Sequence, residues 1–149
     1  MGLKDGFWGK KASASASAPA KTTALPSTKA RGDAAEKTAR QLLERAGMAF
    51  VAANYQTPGR GGGEIDLVMR LSDSTLVFVE VRQRSSTSHG GAAASIGSHK
   101  QRRIIFAARH FLLRFGNHPP PCRFDVVLVQ GSGAGVTLEW LPGAFDASC

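Results

Sequence analysis

Residues 61–84 read GGGEIDLVMRLSDSTLVFVEVRQR. Two runs rich in Val, Ile, Leu and Phe flank the polar link Ser72-Asp73-Ser74, so the stretch predicts a hairpin of strands 64–71 and 75–84. Three carboxylates, Glu64, Asp66 and Glu80, stand inside these apolar runs. A buried carboxylate with nothing to compensate its charge is costly, so each must be solvated, paired or bound to a cation. Side chains alternate along a strand, which puts Glu64, Asp66 and Val68 on one face and Ile65, Leu67 and Met69 on the other. On the next strand Leu76, Phe78, Glu80, Arg82 and Arg84 share a face, opposite Val77, Val79 and Val81.

The length of the turn decides what these faces mean. A three-residue loop sets Leu71 opposite Thr75, Asp66 opposite Glu80 and Glu64 opposite Arg82. Directly opposed side chains have Cβ atoms roughly 4.5–5.5 Å apart, where like charges repel. A divalent cation removes the repulsion, and a few carboxylate oxygens with retained waters are what Mg²⁺ prefers. A two-residue loop sends Asp66 and Glu80 to opposite faces, unless a bulge restores the alignment.

Outward from the hairpin, GDAAEKTARQLLERAG predicts a helix. Asp33 caps it with Glu36 three residues on, Ala35, Ala39, Leu42, Leu43 and Ala46 form an apolar stripe, and Gly47 is the stop. MAFVAANYQ reads as a strand and TPGRGGG as a loop. Beyond the hairpin, the Gly/Ser-rich SSTSHGGAAASIG leads to a second helix around SHKQRRIIFAARHFLLRFG, with Ile104, Ala107, Ala108, Phe111, Leu112 and Phe115 at helical spacing. RFDVVLVQ and VTLEWL complete the chain as two strands. The order αβββαββ predicts an α/β fold, a mixed central sheet flanked by helices.

The 149 residues suffice for one domain, here 32–149. Residues 1–31 are dominated by Ala, Ser, Lys, Thr and Pro and cannot bury enough apolar surface to offset chain entropy, so they read as a disordered arm. The arm holds six Lys and Arg against Asp5, hence five of the eight net positive charges. That balance favours a polyanion such as nucleic acid, and equally serves solubility. No signal-like apolar segment and no run of transmembrane length is present, and Cys122 and Cys149 lie in no metal-ligand spacing; a soluble cytoplasmic protein is expected, without a membrane partner.

Lys100, Gln101 and Arg103 open the second helix, where a phosphate meets side-chain charge and free backbone N–H groups; they are candidate nucleic-acid contacts, with Arg84 at the end of the hairpin. Arg123 and Asp125 in the fourth strand read as a structural ion pair. The glycines at 61–63 read as a turn.

An acid on one strand, then an acid, a spacer and a base on the next, here Asp66 and Glu80-Val81-Arg82, resembles the PD-(D/E)xK nuclease signature. GDAAEKTA, GEIDLV, VFVEVRQR, HKQRRI and RFDVVLV, in that order, resemble the YraN (UPF0102) family across residues 32–149. The resemblance implies a restriction-endonuclease-like fold related to Holliday-junction resolvases, acting on DNA with Mg²⁺ or Mn²⁺, and allows a homodimer. It implies that Asp66 and Glu80 hold the metal, that Glu64 supports it, that Glu36 approaches from the first helix, and that Arg82 stands where the signature has Lys. An arginine neutralises phosphate charge but cannot move a proton as a pKa-shifted lysine can. The expectation is therefore a metal-dependent nuclease for structured DNA, with a non-catalytic nucleic-acid-binding module on a degenerate nuclease fold as its rival.

Overall fold

The computed structural model describes residues 27–84, 96–131 and 133–147. Most of the basic arm and most of the Gly/Ser-rich link, 85–95, lie outside the described residues. The elements follow in the order α1 (Thr28–Arg45), β1 (Ala49–Gln56), β2 (Glu64–Arg70), β3 (Leu76–Arg84), α2 (Ser98–Leu112), β4 (Cys122–Gln130) and β5 (Thr137–Phe145). Short 3-10 turns follow α2 and precede β5. The five strands lie in sequence order, all neighbours antiparallel except β3 and β4, which run parallel across the α2 crossover.

The two helices cover opposite faces. Ala35, Ala39 and Leu43 of α1 pack with Leu67, Met69, Val77, Val79, Val127 and Val129. Ile104, Ala107, Ala108 and Phe111 of α2 pack with Val68, Phe78, Phe124, Val126 and Leu128. Burial on both faces explains why β3 and β4 read as continuous apolar runs.

The hairpin turn is the three-residue one. Leu71 N–H donates to the Thr75 carbonyl at 2.9 Å, Ser74 N–H donates to the Leu71 carbonyl, and Ser74 takes the left-handed conformation (φ 74°) that such loops place last. Asp73 holds the loop by accepting from Thr75 N–H at 2.9 Å. The resulting register pairs Leu67 with Val79 and Arg70 with Leu76, and continued by one residue it sets Asp66 across from Glu80.

Two expectations need correction. α1 begins at Thr28, with Ser27 accepting from Ala30 N–H, so residues 28–31 belong to the helix and Asp33 lies inside it, paired with Lys29. Glu36 is thus no capping-box residue. Ile65 does not share the face of Leu67 and Met69; it joins Val68 under α2. Strict alternation breaks at Asp66, beside Asn54 of β1, which has a positive φ of 53° between the pairs Ala53–Leu67 and Tyr55–Ile65.

Asp125 is fully buried and accepts four hydrogen bonds. Arg123 donates two (2.8 and 2.9 Å), Trp140 Nε1 one (2.9 Å) and Gly143 N–H one (3.0 Å). The structural reading of that pair holds, and the cluster also pins β5 to β4 where their register shifts.

Candidate active site

The ladder between β2 and β3 ends at Leu67–Val79, and the next position is taken over by a side chain. Asp66 Oδ2 accepts from the backbone N–H of Val81 at 2.8 Å, standing in for a carbonyl of its own strand. This fixes the carboxylate beside Glu80, and the two carboxyls hydrogen-bond one another. Glu80 is a rare buried acid, with 7% of its side chain exposed, and its Oε1 lies 3.2 Å from Lys100 Nζ at the start of α2.

The electrostatics follow from crowding. Burial, then the neighbouring Asp66 charge, pushes Glu80 up to about 7 against the opposing pull of Lys100. Asp66 is also raised, chiefly by burial, with the Val81 N–H acting against it. Two carboxyls in contact favour holding one proton between them. Glu36, turned from α1 towards the same place, is raised by burial and then by Asp66, while a hydrogen bond from Asn54 opposes the shift.

The other candidates are placed less centrally. Glu64 is exposed at the first residue of β2, where Gln56 Nε2 donates to it at 3.4 Å, and the hairpin ladder does not reach it to pair it with Arg82. Arg82 and Arg84 are half-buried at the end of β3, level with Leu128 and Gln130 of β4. Gln101 Nε2 donates to the Ile96 carbonyl at 2.8 Å, and Arg103 donates to the Gly62 carbonyl at 3.1 and 3.3 Å. The glycine turn matters for packing: a Cβ on Gly63 would stand 1.9 Å from the Arg103 carbonyl oxygen, so only glycine lets this end of β2 touch α2.

Sequence reasoning missed two members of this arrangement. Asn54, an amide following the apolar run 49–53 of β1, was the visible signal for a contact with Glu36. The ion pair between Lys100 and Glu80 joins residues on either side of the 85–95 link and has no local signature.

As a metal site the donor set is lean. Among the described residues no three His, Cys, Asp or Glu gather into a group able to hold an ion. Two touching carboxylates in excess of their local positive charge nevertheless fit Mg²⁺ or Mn²⁺, because Mg²⁺ commonly takes one or two carboxylates and fills its remaining positions with water and substrate phosphate. They do not fit a closed, all-protein cage.

Residues 35–129 match the profile of the Uncharacterised protein family UPF0102. The chain is similar to a UPF0102 protein of Polaromonas naphthalenivorans (strain CJ2), 67% identical over 133 residues, covering 84% of this chain and 86% of the relative. It is 70% identical over 126 residues to one of Polaromonas sp. (strain JS666 / ATCC BAA-500), covering 81% and 84%. A UPF0102 protein of Acidovorax sp. (strain JS42) is 57% identical over 143 residues, covering 96% and 99%. No helix among the described residues is long and apolar enough to cross a membrane.

Proposed function

The chain belongs to the UPF0102 family, and from that premise and the Asp66–Glu80 contact we propose that it is a metal-dependent nuclease of the restriction-endonuclease-like kind, hydrolysing phosphodiester bonds in structured DNA in the cytoplasm. The observation that carries the reading is the pairing of two carboxyls at the point where β2 and β3 part, one of them buried and pushed up to about 7. Ordinary surface acids have no reason to be forced together there.

Asp66 and Glu80 would hold Mg²⁺ or Mn²⁺, which when bound supplies an activated water and neutralises charge on the phosphate. The chain's own residues prepare for it. Val81 N–H orients Asp66, Asn54 orients Glu36, and Glu36 and Glu64 add negative potential around the pair. Arg82, two residues beyond Glu80 on β3, would offset phosphate charge. Basic residues of α2 supply backbone contacts to the nucleic acid.

The test is a cleavage screen with Mg²⁺ and Mn²⁺ over single-stranded, duplex, flap and four-way-junction DNA. Cleavage that disappears in Asp66→Asn and Glu80→Gln supports the proposal. Arg82 in the place of the signature's lysine favours one rival, a binding module without catalysis. Binding by a pure, folded wild-type chain that cleaves none of these substrates would establish that rival instead.

A further inference from the structure

Lys100 differs from Gln101 and Arg103 beside it. Their polar ends are tied to backbone carbonyls, whereas the ammonium of Lys100 forms an ion pair with Glu80. The two partners are unequal. Glu80 is buried, while 55% of the Lys100 side chain is exposed, so the ammonium stands at the mouth of the site on a long, solvated stem. Such a cation can leave its partner without exposing a hydrophobic surface. An ionised Glu80 that loses this partner needs another positive charge, because a buried carboxylate stripped of its counterion is costly.

We propose that Lys100 is an exchangeable counterion, which holds Glu80 until a divalent cation takes over that carboxylate and then turns to a phosphate of the bound nucleic acid. The inference rests on the metal-site reading above and extends it to a residue outside the nuclease signature. The ammonium would be repelled by a divalent ion held on the Asp66–Glu80 pair, an ion that would at the same time satisfy the acid. A lysine has three donors on a flexible stem and binds phosphate as a point charge, so the move needs only side-chain rotation. The positive group that position 82 offers as arginine is thereby joined by a lysine delivered from α2.

The experiment does not depend on turnover. Binding of a labelled flap duplex to the full-length wild-type chain and to Lys100→Gln is measured across a salt series, once in EDTA and once with Ca²⁺, which seeks the same oxygen ligands. For duplex DNA, every phosphate that the protein ceases to neutralise makes the fall of log K with log salt less steep by about 0.9. The expected result is equal slopes in EDTA and, in Ca²⁺, a slope less steep by about 0.9 for Lys100→Gln, with Lys100→Arg restoring the wild-type slope. Equal slopes in both conditions would overturn the proposal and leave Lys100 as a structural partner of Glu80. An equal drop in both would also overturn it, since the phosphate interaction would then owe nothing to the metal. A wild-type chain that fails to bind the duplex refutes it outright. Lys100→Met, which keeps the apolar stem, repeats the comparison if the glutamine variant melts early. Absence of cleavage by the wild type in the separate screen would defeat the nuclease reading without deciding these slopes.

Discussion

Glu80→Gln should stabilise the metal-free protein at pH 8. The acid is raised from 4.5 to about 7, so the folded chain binds this proton more tightly than the unfolded chain does. By linkage, wild-type stability is then lost as pH rises from about 4.5 to about 7 and stays level above it. A shift of this size corresponds to about 3 kcal/mol at pH 8 and about 1 kcal/mol at pH 5. Glutamine removes the titrating charge, can still donate to Asp66, and leaves behind an ammonium that water already reaches. At roughly 4 °C per kcal/mol for a domain of this size, the variant should melt about 10 °C above wild type at pH 8, with the gap narrowing to a few degrees at pH 5. The assay is a circular dichroism melt in EDTA at both pH values, repeated with Mg²⁺. Magnesium should raise the wild-type melting temperature and leave the variant unmoved. A Glu80→Gln chain less stable than wild type at both pH values would mean that the ion pair with Lys100 outweighs the crowding with Asp66, contrary to the expected order.

Asp125→Asn removes one charged oxygen from a fully buried group that accepts from Arg123, Trp140 and Gly143, and should cost about 3–5 kcal/mol in urea unfolding, with little change in any DNA binding. Gly63→Ala brings a methyl against the Arg103 carbonyl and should destabilise by about 1–3 kcal/mol in the same assay. Removing residues 1–26, which hold four Lys and one Asp, should lower DNA affinity and flatten its salt dependence; unchanged slopes in a binding titration would show that these residues do not touch nucleic acid. That truncation leaves Ser27 to cap α1, whereas starting at residue 32 cuts into the helix.

Local rules account for the features that can be read directly from the order of residues. The three-residue loop was enough to bring Asp66 opposite Glu80, since the turn and the register it imposes are set within residues 61–84. Helical spacing located the buried Ala35, Ala39 and Leu43 of α1 and Ile104, Ala107, Ala108 and Phe111 of α2, whereas Ala46 and Phe115, placed in the same stripes, are exposed at the helix ends; Gly47, with φ 99°, stops α1 where expected. Tertiary structure decided the rest. Ile65 turned to the other face because Asn54 and the end of the hairpin ladder break the alternation, a choice made between strands and not within one. The fourfold clasp on Asp125 needs Trp140 and Gly143 delivered by the pairing of β4 with β5. Lys100 meets Glu80 only because α2 crosses the sheet between two parallel strands, with its close approach at Gly63. Contacts between residues distant in sequence depend on how whole elements pack, and packing leaves no period or spacing in the chain from which such a meeting could be read.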